Sequence, residues 1–199
     1  MIYDFSQRCN TYDKDIYNRE YFEVTRCPSC PAVGRFKMHG SYCRYAIYFE
    51  SDGSIVRCLM WIKRIKCESC KATHAVMPGD IIPYKALSLI VFIHILVSYH
   101  LDEIPALEIA ERWDFSYQLI YSAIRTFHKH MNNVRQHIRE ISPEGVLADF
   151  DACGVLALIK EPLAFQSSYI EKNNRACFMC KIFYKKGAPP VGAHAPQRA

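Results

Sequence analysis

An α+β fold, mostly α, is predicted by three features of the 199-residue chain. Two Cys-x-x-Cys pairs, Cys27-Pro28-Ser29-Cys30 and Cys67-Glu68-Ser69-Cys70, stand at the two ends of a segment with strand character. Beyond residue 84 the apolar spacing changes from that of a strand to that of a helix. Pro78, Gly79 and Pro83 punctuate the change and mark a linker. The chain therefore divides into a lead-in over 1–26, a cysteine-bracketed β unit over 27–78, a helical unit over 84–140, a short acidic helical segment over 143–175 and a tail over 185–199. The tail is rich in Pro, Ala and Gly, has no acid, and is expected to be disordered.

The two cysteine pairs have the form of metal knuckles. Zn²⁺ has no ligand-field preference and takes four thiolates in a tetrahedron, and each Cys-x-x-Cys turn delivers two of them from one tight loop. One knuckle at each end of a long β-hairpin makes an N-terminal Cys₄ zinc ribbon, with Cys27, Cys30, Cys67 and Cys70 as ligands and one structural Zn²⁺ as cofactor. The alternatives are four unrelated cysteines or two redox pairs. A redox pair normally follows a strand and opens a helix, and neither pair has that setting. The spacing between the pairs exceeds the usual roughly fifteen to twenty residues, and a long hairpin fills it. Ser41–Phe49 is aromatic and β-branched. Asp52-Gly53 then suits a tight turn, and Ile55–Lys66 returns into the second knuckle. His39, Cys43 and Cys58 could replace a ligand in principle, but with four cysteines at hand they are expected to pack or face solvent.

Hydrophobic residues make up 50% of the chain, which is globular rather than disordered composition. The net charge of +5 permits a polyanionic partner without requiring one. Ten cysteines with no basic, then apolar, leader point to metal ligands and buried thiols rather than disulfides. The longest apolar run, 86–99, is shorter than the about 18 residues that span a bilayer and contains His94. A cytoplasmic protein with no membrane partner is expected. Cations gather in the returning strand and second knuckle: Arg57, Lys63, Arg64, Lys66 and Lys71. They read either as a solvated strand face or as phosphate contacts that release counterions from nucleic acid.

The helical unit starts with an almost wholly apolar helix over about 85–100, as befits the centre of a small bundle. Two amphipathic stretches follow, separated by Asp114-Phe115. In the first, Asp102 is expected to cap a helix with Pro105 in its first turn. In the second, Ser116 caps a helix whose core face is Ile120, Ile124, Phe127 and Met131. Its opposite face carries Tyr117, Gln118, Tyr121, Ser122, Arg125 and Lys129, and no acid occurs from Phe115 to Arg139. Hydrogen-bonding side chains at the start and cations further on suit a recognition helix in a trihelical helix-turn-helix. Its first turns would read base edges of double-stranded DNA while Arg and Lys grip phosphates. The competing reading is an ordinary amphipathic helix. His128, His130 and His137 lack partners at ligand spacing and are expected at the surface.

Two further helices, over 146–160 and 162–173, are acidic and could grip a protein partner. Asp149-Phe150-Asp151 invites a two-metal catalytic reading, but too little chain follows to complete such a site, so no enzyme activity is expected. Cys177 and Cys180 form a third Cys-x-x-Cys without a matching knuckle.

The run Cys27-Pro-x-Cys30, His39-Gly40, Arg64-Ile-Lys-Cys67-x-x-Cys70, Thr73-His74 and Met77-Pro78, followed by Ile109-Ala-Glu-Arg-Trp113 and Ile120-Tyr121, resembles the N-terminal DNA-binding half of bacterial insertion-sequence transposases. It looks still more like a bacterial family of short transposase-related proteins of unknown function. The resemblance covers about residues 25–140. It implies that Cys27, Cys30, Cys67 and Cys70 bind zinc and that the Ser116 helix recognises DNA at the nucleoid. The acidic-triad catalytic domain of those transposases is absent, so their chemistry does not carry over. The expectation is a sequence-specific duplex-DNA-binding protein, a regulator or transposition accessory. A protein-interaction module is the alternative, and a truncated transposase or nuclease a more distant one.

Overall fold

The computed structural model describes residues 1–12, 19–141, 151–159, 161–173 and 176–178. In chain order these form β1 (Ile2–Asp4), α1 (Arg19–Val24), β2 (Phe36–Phe49), β3 (Ile55–Cys67), β4 (Thr73–Pro78), α2 (Leu89–His100), α3 (Ala106–Arg112), α4 (Tyr117–Ile141), α5 (Ala152–Leu158) and α6 (Pro162–Asn173). The result is an α+β arrangement with a four-stranded sheet in the order β1-β4-β3-β2 and six helices among the described residues.

The long hairpin is β2 against β3, antiparallel from Phe36↔Cys67 to Phe49↔Ile55. Its tip is closed by the Gly53 N–H donating to the Glu50 carbonyl (3.0 Å), while the Asp52 carboxylate accepts from the Ser54 N–H (2.9 Å). Gly53 adopts φ +83° there, a conformation a Cβ would disfavour. The register shifts between Met38 and Ser41, so that His39 and Gly40 oppose Arg64 as a bulge. The lead-in supplies an unexpected strand, because Ile2↔Val76 pairs β1 in parallel with β4. β4 itself runs through Met77-Pro78, so the strand reaches the Pro78 that opens the linker.

Alternation along these strands gives the sheet two covered faces. Ile2, Phe22, Ile65 and Val76 pack on one side at the cysteine end. Ala46, Met60, Ile62 and Met77 pack on the other with Cys9 and Ile81. The main core lies in the helices: Phe92, Ile95 and Leu96 of α2 meet Ile120, Phe127 and Val134 of α4. Ser88 caps α2 by accepting from the Val91 N–H (3.3 Å). α5 and α6 close the same core with Val155, Leu156, Phe165 and Tyr169. No helix among the described residues is long and apolar enough to cross a membrane.

Two expectations need correction. α3 starts after Pro105, which occupies the cap position with no side-chain cap bond, so Asp102 does not cap it. Proline drives the residue before it away from helical geometry, and the chain enters the helix only beyond the ring. His137 is not a surface residue. It is 1% exposed, its Nε2 lies 3.1 Å from Ser168 Oγ, and the Phe165 and Tyr169 rings meet it edge-on. Of the helix expected over 146–160, the described part is Ala152–Leu158, and residues 146–150 and 160 lie outside the described residues.

Candidate functional site

The two knuckles are built alike. In each, the first cysteine's N–H donates to an alanine carbonyl five residues on: Cys27 to Ala32 and Cys67 to Ala72, both 2.9 Å. Each loop thus turns its pair of sulfurs to the same side. After the second cysteine the chains differ: Lys71 takes φ +63° where the first knuckle has Pro31. The Glu68 N–H donates to the Arg35 carbonyl (2.8 Å), stitching one knuckle to the strand leaving the other.

All four sulfurs converge. Cys27, Cys30, Cys67 and Cys70 lie with their Sγ atoms within 4.8 Å of one another and could hold a metal ion. Across the knuckles, Cys27 Sγ is 3.7 Å from Cys70 Sγ, and Cys30 Sγ is 3.7 Å from Cys67 Sγ. The Cys70 backbone N–H, helped by that of Ser69, pulls the Cys67 thiol down to about 6 against the effect of burial. Cys30 moves the other way: the Ala32 backbone lowers it, but burial and the neighbouring cysteines push it up to about 11. A cation binding here therefore meets one ready thiolate and displaces a proton from a reluctant thiol, as metal sites of this type do.

His74 of β4 completes the surroundings. It is 4% exposed, with Nε2 3.3 Å from Cys27 Sγ and the Phe36 ring edge-on. Burial lowers its pKa and favours the neutral ring, whose Nε2–H can donate to a Cys27 thiolate. Such a partner orients the sulfur and spreads its charge. In the sequence His74 stands out only as part of the run that resembles transposase DNA-binding halves, with no role of its own. Its strand position, seven residues past Cys67, is the signal that could have found it. His39 and Cys43 are exposed, Cys58 contacts Tyr48 Oη, and none joins the cluster.

On α4, the N-cap is as expected: Ser116 Oγ accepts from the Leu119 N–H (3.3 Å). Ile120, Ile124 and Phe127 are buried and Met131 is partly so. Tyr117, Gln118, Tyr121, Arg125 and Lys129 are all exposed, with the Tyr117 and Tyr121 rings stacked 6.2 Å apart between centroids. The helix thus presents these five side chains on one open face. The hairpin cations are less unified. Strand alternation puts Lys63 on one side of the sheet and Arg64 and Lys66 on the other, and Lys71 donates to its own knuckle through the Glu68 carbonyl (2.6 Å). Arg57 sits at the far end of the hairpin. It donates to the carbonyls of Trp113 (2.7 Å) and Asp114 (2.8 Å) and lies over the Phe115 ring, locking the hairpin to the turn between α3 and α4.

Asp151 caps α5 by accepting from the Gly154 N–H (2.9 Å). Asp149 and Cys180, and the tail over 185–199, lie outside the described residues. Cys177 is fully buried in the helical core.

Residues 27–113 match the model of a domain of unknown function, DUF6431. The match takes in both knuckles, the hairpin, α2 and α3, and stops before Ser116. No curated protein and no solved structure matches the chain.

Proposed function

We propose that this is a zinc-dependent, sequence-specific binder of double-stranded DNA that acts without a catalytic domain of its own, as a regulator or transposition accessory. The observation that carries the reading is the open face of α4. It combines a capped N-terminus, hydrogen-bonding Tyr117, Gln118 and Tyr121 on the first turns and Arg125 and Lys129 further along, with no acid between Phe115 and Arg139. α3, the Asp114-Phe115 turn and α4 act as the helix-turn-helix, and the first turns of α4 enter the major groove. The resemblance to transposase DNA-binding halves supports the same reading. Arg64 and Lys66, on one side of the hairpin, supply phosphate contacts from a rigid platform.

The cysteine cluster is a zinc ribbon. Metal–sulfur bonds of about 2.3 Å in a tetrahedron place the sulfurs about 3.8 Å apart, close to the 3.7 Å between facing sulfurs here. Four thiolates with no open position suit structural rather than catalytic zinc.

The test is fluorescence anisotropy of metal-loaded protein with duplex DNA across a salt series, followed by selection of the preferred sequence. Log affinity should fall against log salt by about 0.9 per phosphate contact. Arg125→Ala and Lys129→Ala should weaken all duplexes alike and flatten that slope, whereas Gln118→Ala should change the preferred sequence. Absence of duplex binding at low salt, or a Gln118→Ala preference identical to the parent's, overturns the reading.

A further inference from the structure

Two rings open the exposed face of α4. Tyr117 and Tyr121, one turn apart, stack with centroids 6.2 Å apart and planes 17° from parallel. They are 48% and 54% exposed, so the pair offers solvent one flat apolar surface edged by two hydroxyls. Gln118 stands beside them, because residues 117, 118 and 121 fall within an arc of about 100° around the helix. It is exposed, and its amide makes no hydrogen bond among the described residues.

Cations are missing from this part of the face. The first on α4 is Arg125, which stands about 12 Å further along the axis than Tyr117. A major groove is about that wide, so Arg125 meets the phosphate wall when Tyr117 lies over base edges. Two arginines flank the turn before α4, and both are engaged. Arg112 pairs with Glu108 (3.0 Å), and Arg57 holds the Trp113 and Asp114 carbonyls. Guanine is read chiefly by arginine or lysine at O6 and N7, and the first turns of α4 carry neither.

Adenine and thymine ask for the groups that are present. A glutamine amide can donate to adenine N7 while accepting from N6, and thymine projects a C5-methyl group that takes an apolar contact. We propose that α4 selects a core of A·T pairs, with Gln118 bound to adenine N6 and N7 and the paired rings of Tyr117 and Tyr121 packed on thymine methyl groups. This inference rests on α4 being the recognition helix and names what that helix reads.

The test is selection from a random duplex pool with the metal-loaded full chain, followed by anisotropy on the winning duplex remade with altered bases. The selected core should consist of A·T pairs. Uracil in place of thymine removes the methyl group and keeps the pairing, and should weaken binding about fourfold per contacted methyl. Tyr117→Ala and Tyr121→Ala should lose sensitivity to that exchange, whereas Tyr117→Phe, which keeps the ring, should still prefer thymine. Adenine lacking N7 (7-deazaadenine) should weaken the parent at least about fivefold and leave Gln118→Ala unaffected. Unchanged circular dichroism and metal content show that the variants are folded. A selected G·C core, or equal affinity of the parent for thymine and uracil duplexes, overturns the A·T proposal while duplex recognition by α4 stands. Absence of duplex binding overturns both.

Discussion

The two ends of the β2–β3 hairpin are held in opposite ways. At the helical end, Ile47, Phe49 and Ile55 join a continuous apolar core with α2, α3 and α4, and Arg57 clamps the α3–α4 turn. At the cysteine end the apolar cluster has four buried members among the described residues, Ile2, Phe22, Ile65 and Val76, and the four sulfurs gather there. A small apolar cluster offsets little of the chain entropy of two ordered loops, so a metal ion held by the four sulfurs would add most stability at that end. The helical end depends on packing and needs none.

Removing a sulfur breaks this contrast most sharply. Cys67→Ser should abolish stoichiometric metal uptake and cost much of a binding free energy on the order of 10 kcal/mol. Hydrogen exchange should then quicken in Cys27–Arg35 and Cys67–Thr73, while α2 and the middle of α4 stay protected. Uniform loss of protection would show that both ends share one stabilising core.

Acid should reach the same state without mutation. The Cys67 pKa is lowered in the folded protein to about 6, below its unfolded value, so the stability it lends is complete above about 8.5 and is lost as pH falls through about 6. Metal release followed with a zinc-sensitive dye should precede loss of helical circular dichroism, because the thiolates must take up protons as the ion leaves.

Phe127→Ala supplies the converse experiment. Emptying a fully buried ring position in the helical core should cost about 3–5 kcal/mol of stability, measured by urea denaturation, with metal stoichiometry unchanged. His74→Gln should act more gently, weakening metal affinity about 10- to 100-fold in a competition titration, because it leaves the four sulfurs in place. The smallest effect belongs to Arg57→Ala. Its bonds are at a partly exposed joint, so about 1 kcal/mol should be lost, and exchange should quicken at the α3–α4 turn and not at the knuckles.

The exposed face of α4 and the Ser116 cap were legible because a helix repeats every 3.6 residues and the pattern is local. The knuckles and the strands between them were legible for a similar reason: paired cysteines and β-branched runs carry their meaning within a few residues. Met131 was placed in the core face and lies at its margin, since α4 leaves the bundle's centre there and Val134 and Ile138 take over.

What the sequence by itself determined is thus the set of elements that local chemistry specifies: four convergent sulfurs, a hairpin, an apolar central helix and a capped amphipathic one. Tertiary structure alone decided the rest. β1 exists because β4 offers it an edge more than seventy residues away in sequence, as the Ile2↔Val76 pairing shows. Tyr12 Oη spans from the Lys63 N–H (3.1 Å) to the Val76 carbonyl (3.2 Å), fastening the lead-in where no local signal predicts it. Gln166 is buried against the Gly79 and Ile81 carbonyls, which turns an acidic-looking tail segment into a strut under the linker. His137 is interior because α6 lays Phe165, Ser168 and Tyr169 over it. Each of these outcomes depends on which distant surface arrives to cover a side chain, and that information lies in the packing of elements and not in any one of them.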